Sequence, residues 1–120
     1  MKISAMKDKK EQGKFGEDYA VEYLVKNDYQ IHARNVRIGN LEIDVVAEEK
    51  ETLVFIEIRL RNDATFGFPE DGMSKAKKQA IFRAGEAYLS RKPWAGDIRF
   101  DFISIIQKPE LQLEHFKDIF

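Results

Sequence analysis

Leu53-Val54-Phe55-Ile56-Glu57-Ile58-Arg59-Leu60-Arg61 is the most apolar stretch of the chain, yet it carries one carboxylate and two guanidiniums. Its apolar, β-branched character predicts a strand over Thr52–Leu60, central to a sheet. One strand earlier, Leu41–Ala47 carries Glu42 and Asp44 in the same kind of setting. Burying an ionised group costs roughly several kcal/mol unless it finds a partner or a metal. Acids in strand cores with cations beside them therefore point to a divalent metal and an anionic substrate, phosphate esters first.

Strand periodicity places these groups. Side chains alternate between faces, so Phe55, Glu57, Arg59 and Arg61 share one face and Val54, Ile56, Ile58 and Leu60 the other. Residues two apart are roughly 6.6 Å from each other along a strand, so Glu57 and Arg59 can act on one ligand. On the preceding strand Glu42 and Asp44 are expected together, opposite Leu41, Ile43, Val45 and Ala47. If the two strands pair as a hairpin, Asp44 and Glu57 lie side by side. A hard cation such as Mg²⁺, which takes one or two carboxylates and leaves positions for water and phosphate, resolves the repulsion between two such oxyanions. Internal ion pairing of Glu57 with Arg59 or Arg61 is the alternative on spacing alone.

Outward from this centre, Phe15, Tyr19, Ala20, Tyr23 and Leu24 recur at helical spacing and predict a helix from Gln12 to Lys26, broken by Asn27-Asp28. Tyr29–Asn35 reads as a strand with Tyr29, Ile31 and Ala33 on one face. Glu48-Glu49-Lys50-Glu51 makes a charged hairpin tip, and a loop over 61–72 contains Phe66-Gly67-Phe68-Pro69. Ser74 caps a second helix to Arg91, with Ala80, Ile81, Ala84, Ala87 and Tyr88 on its apolar face. Strands follow over Arg99–Gln107 and, at the sheet edge, over 111–119. The order helix, three strands, helix, strands predicts an α/β fold, a single mixed β-sheet flanked by helices.

At 120 residues the chain is expected to form one domain over 11–120, preceded by a flexible, basic arm over 1–10. There is no cysteine, which excludes disulfides, zinc–thiolate sites and thiol nucleophiles and suits a cytoplasmic protein. No apolar run predicts a membrane span or a signal peptide, so no membrane partner is expected. The net charge of −1 weighs against binding nucleic acid by bulk electrostatics, but residues 75–92 hold six cations against Glu86 alone. A phosphate-binding surface and a solvated helix face both fit that cluster. Histidine occurs only at His32 and His115, no serine sits in a nucleophile elbow, and no phosphate-binding glycine loop is present.

Asp44, then Glu57-x-Arg59 thirteen residues later, with Glu17 on the first helix, resembles the core of the PD-(D/E)XK nucleases. More narrowly, the chain resembles the YraN-like proteins, which are similar to archaeal Holliday-junction resolvases. Gly13-x-x-Gly16-Glu17-x-x-Ala20, Asn35-x-Arg37, Glu42-Ile43-Asp44, Val54-Phe55-Ile56-Glu57, Phe66-Gly67, Lys77 and Arg99-Phe100-Asp101 carry the match. The resemblance implies a restriction-endonuclease-like fold with an α-β-β-β-α-β core. It also implies Mg²⁺ or Mn²⁺ held by Asp44, Glu57 and Glu17, and DNA as the substrate. Glu17, Asp44, Glu57 and Arg59 would then be the catalytic set. Arg61, Lys77 and Lys78 would contact nucleic acid, and Glu42 would support the metal ligands from behind. By analogy with enzymes that cut two strands, a homodimer is expected.

Arg59 stands where the family motif ends in lysine. A guanidinium keeps its proton in proteins, so Arg59 can clamp phosphate but cannot help activate water by losing one. Two functions are therefore expected in order: a metal-dependent nuclease acting on DNA, branched or damaged DNA included, and a catalytically impaired nuclease fold that binds nucleic acid or a protein partner. Leu41 and Asp28 also replace glycines of the family pattern, Asp28 at a mild backbone cost.

Overall fold

The computed structural model describes residues 9–62 and 74–120. The expected arm over its residues 1–8 and the Phe66-Gly67-Phe68-Pro69 loop lie outside the described residues. Helix α1 (Lys9–Lys26) is followed by β1 (Gln30–Ile38), β2 (Leu41–Glu49) and β3 (Thr52–Arg61), then α2 (Lys75–Arg91), β4 (Asp97–Ile106) and β5 (Gln112–Phe116). The strands form one sheet in the order β1-β2-β3-β4-β5, with β3 in the middle as its apolar run predicts. Only β3 and β4 run parallel, because α2 carries the chain back between them; the other neighbours are antiparallel. The mixed sheet and the α-β-β-β-α-β order are compatible with a restriction-endonuclease-like core.

Local chemistry sets the joints. Beyond the end of α1 Asp28 takes a left-handed φ of 68°, and Tyr29 N–H closes back on Leu24 O at 3.0 Å. The β2–β3 tip is a two-residue turn with both Lys50 and Glu51 at positive φ, the geometry that matches the twist of the strands it joins. Ser74 caps α2 as expected, its Oγ accepting from Lys77 N–H at 3.0 Å.

Each sheet face has its own core. Ala20 and Leu24 of α1 pack with Val45, Val54, Ile56 and Ile103 on one face. Ile81, Ala84 and Tyr88 of α2 pack with Val46, Phe55 and Phe100 on the other. β3 alternates as predicted, Phe55 facing α2 while Val54, Ile56, Ile58 and Leu60 face α1.

The flanking strands do not keep strict alternation. Ile31 packs on the α1 side but Ala33 on the α2 side, because the β1–β2 register shifts between them. Likewise Ile43 and Leu41 belong to the α2-side core while Val45 and Ala47 belong to the α1 side, so β2 slips a face at Asp44. The expected single faces, Tyr29-Ile31-Ala33 and Leu41-Ile43-Val45-Ala47, are each divided. Both slips serve the site, since they turn Arg34, Asn35 and Asp44 toward α1.

Candidate active site

The β2–β3 ladder runs from Glu49 opposite Thr52 to Val45 opposite Ile56 and stops there. Asp44 and Glu57 are the next step, where the strands part. Backbone groups freed at such a fork need other partners, and Asp44 Oδ2 accepts from Ile58 N–H at 2.8 Å. Burial and, after it, the charge of Glu57 push the Asp44 carboxyl up to about 7; the Ile58 bond opposes this, and Glu17 and Glu42 add to it. Asp44 and Glu57 thus stand one step past the last paired residues of neighbouring strands, near enough for the charge of one to act on the other.

The fork opens on both faces. Toward α1, Asp44 lines a cavity of about 490 Å³ with Gly13, Gly16, Glu17, Arg34 and Asn35. Toward α2, Glu57 lines a groove of about 180 Å³ with Asn40, Glu42 and Lys77. Gly16 is what lets α1 approach, since a Cβ there would stand 3.3 Å from Leu60 Cβ. A Cβ on Gly13 would meet nothing within 4 Å, so the cavity beside it is open space.

Glu17 is buried on α1 and shares the Asp44 cavity, but it is committed to β1: Arg34 Nε donates to its Oε2 at 2.7 Å and Asn35 Nδ2 at 3.0 Å. Arg34 also holds Asp18. Among the described residues no three His, Asp or Glu side chains gather closely enough to share one metal ion. The trio Glu17, Asp44 and Glu57 is thus brought to one end of the sheet without closing on one point. Asp44 and Glu57 by themselves match what Mg²⁺ takes from a protein, one or two hard carboxylates. Their mutual repulsion is the imbalance that a divalent cation relieves.

The cations are arranged differently from the sequence expectation. Glu57 pairs with neither Arg59 nor Arg61; its Oε2 lies 3.1 Å from Lys77 Nζ. Arg59 is exposed on the same face of β3, and Arg61 is partly buried near the strand end. Lys78 follows Lys77 on α2, partly exposed. Glu42 is more than half exposed and pairs with Arg37 at 2.6 Å, so its influence on Asp44 acts through its charge.

A second charged cluster escaped the sequence reading. Asp101 in β4 is fully buried and accepts from Arg99 Nε and a terminal Arg99 nitrogen, both at 2.9 Å, and from Asp118 N–H at 3.0 Å. His115 Nε2 lies 2.7 Å from it, and the other ring nitrogen of His115 is 2.8 Å from the Tyr23 hydroxyl. Arg99 also donates to the Tyr29 hydroxyl at 2.9 Å and pairs with Glu49 at 3.1 Å. Burial pushes the Asp101 carboxyl up, but the bonds from His115, Arg99 and Asp118 outweigh it and hold it below the usual range. Burial also pushes the Tyr23 hydroxyl up, so the Tyr23-His115-Asp101 chain is a brace and carries no activated nucleophile. The signal was available: Asp101 is an acid inside an apolar strand, as Glu57 is.

Fold and site define the class: a mixed-sheet α/β domain with a carboxylate pair where two central strands fork. The chain belongs to the uncharacterised protein family UPF0102, whose profile matches residues 16–105. It is similar to a UPF0102 protein of Flavobacterium psychrophilum, 38% identical over 109 residues that span 90% of this chain and 92% of the relative. A UPF0102 protein of Bacteroides fragilis is 37% identical over 90% of each chain. One of Persephonella marina is 38% identical over 90% of this chain and 91% of its own. Among the described residues no helix is long and apolar enough to cross a membrane.

Proposed function

We propose that this chain is a Mg²⁺- or Mn²⁺-dependent nuclease of the PD-(D/E)XK superfamily, similar to archaeal Holliday-junction resolvases. It would hydrolyse phosphodiester bonds of DNA in the cytoplasm, branched or damaged DNA included. The observation that carries this reading is the fork: a partly buried Asp44 and Glu57 whose charges repel, beside an open cavity. A divalent ion held there by Asp44 and Glu57 would lower the pKa of bound water and offset charge at phosphorus. Water oxygen would bond to phosphorus, the bond to the leaving deoxyribose oxygen would break, and the proton shed by the water would be balanced by one taken up at that oxygen.

The protein groups divide the remaining work. Glu17, across the cavity, supports the metal side, and Arg59 clamps a phosphate oxygen. Arg61, Lys77 and Lys78 hold the backbone on the α2 side without reading bases, so affinity should fall steeply with salt. A homodimer would present two such sites to two strands. The test is cleavage of labelled linear duplex and four-way junction with Mg²⁺ or Mn²⁺. Glu57→Gln should lower the rate at least about a hundredfold; cleavage that persists in this variant, or needs no metal, sinks the mechanism.

Arg59 favours a second reading, a nuclease fold retained as a nucleic-acid- or partner-binding module. DNA binding without cleavage in the wild type, with cutting restored by Arg59→Lys, would establish it.

A further inference from the structure

Glu57 receives its cation from across the sheet face and not from its own strand. Lys77 Nζ stands 3.1 Å from Glu57 Oε2, with the Glu57 side chain 12% exposed and that of Lys77 41%. The ammonium is delivered by the first turn of α2, which is pinned twice: Lys77 N–H donates to Ser74 Oγ and Lys78 N–H to Ser74 O, each at 3.0 Å. One turn later Ile81 is buried against the sheet, so the helix cannot drift from the site. Arg59 lies two residues beyond Glu57, roughly 6.6 Å further along β3. It is exposed and pairs with neither Asp44 nor Glu57.

We propose that Lys77 is the cation of the reaction centre, holding Glu57 before substrate binds and turning to a non-bridging oxygen of the scissile phosphate once it has, while Arg59 clamps a phosphate oxygen further along β3. The inference rests on the nuclease reading above. A lysine suits both positions, since its ammonium is a compact charge with rotatable donors on a flexible stem. Its exposed fraction leaves it room to swing. As the bond from water oxygen to phosphorus forms and the ester bond breaks, charge on the non-bridging oxygens meets a donor already at the site. Lys77 gives up no proton in this scheme.

The arrangement makes Lys77 and a divalent ion competitors for Glu57, which gives a readout apart from turnover. The experiment uses the full chain as wild type, Lys77→Gln, Lys77→Arg, Arg59→Gln and Glu57→Gln. Single-turnover cleavage of labelled DNA and calorimetric Mn²⁺ titration are measured on each. Lys77→Gln should cut about a hundredfold more slowly, as for the loss of a donor aimed at developing charge. It should nevertheless bind Mn²⁺ several-fold more tightly. Lys77→Arg should recover part of the rate, and Arg59→Gln, which removes a phosphate clamp, should cost less rate than Lys77→Gln and leave Mn²⁺ affinity unchanged.

The proposal is overturned if Lys77→Gln cuts like wild type, if its Mn²⁺ affinity is unchanged or weaker, or if Arg59→Gln alone shows the large loss. Cleavage abolished in Glu57→Gln but retained in Lys77→Gln would remove this inference and leave the nuclease reading intact. A wild type that never cuts would remove both.

Discussion

A carboxylate pushed up by burial and by a second carboxylate weakens the fold that holds the two together, and Asp44 is in that position, with Glu57 the largest charge acting on it. The native state keeps the Asp44 proton up to about pH 7, whereas the ordinary aspartate value is 3.8. Between these values the folded chain binds more protons than the unfolded one, so this group's contribution falls as pH rises through the window. In EDTA, Asp44→Asn should therefore raise stability in urea at pH 8 by about 1–3 kcal/mol, with a smaller gain at pH 5. An equal or negative effect at both pH values would contradict the burial and repulsion assigned to this group. At this scale Asp44 and Glu57 were legible because ionised residues stood out in apolar strands. The partners were not: Lys77 meets Glu57 from 20 positions away and Arg34 meets Glu17 from 17, distances that only the fold collapses.

The elements were legible because each has a plain local cause: helical spacing in α1, a Ser74 cap on α2, an apolar run in β3. What periodicity missed were the slips in β1 and β2, since one residue's departure from alternation leaves no composition signal. Contacts between elements were equally hidden, and the glycines report them. A Cβ on Gly85 of α2 would stand 2.8 Å from the Phe100 ring and 3.2 Å from Phe55. Gly85→Ala should thus cost about 1–3 kcal/mol by overpacking the α2-side core. Gly13→Ala, with open space around it, should instead stabilise α1 by up to about 1 kcal/mol. Thermal denaturation of the two variants decides: opposite signs support helix packing as described, and equal shifts contradict it.

Across the whole molecule two charged clusters divide the labour. At the Asp44–Glu57 fork Lys77 answers Glu57 alone, while Asp101 is balanced by Arg99, His115 and Asp118 together and ties β4 to β5 and α1. Removing its charge should leave the partly buried Arg99 facing a weak acceptor in a fully buried position, so Asp101→Asn should cost about 3–5 kcal/mol. Because the folded Asp101 carboxyl lies below its ordinary 3.8, its contribution is present above that pH and is lost as acid protonates it in the fold. The variant should therefore show a flatter decline of stability below pH 4 than the wild type; an unchanged acid limb would contradict the brace. The fork carries the larger claim, and a crystal soaked in Mn²⁺ tests it most directly. The account predicts an anomalous density peak bounded by the Asp44 and Glu57 carboxylates, absent from Glu57→Gln. A soaked site with no peak there, or one unchanged in Glu57→Gln, would contradict it.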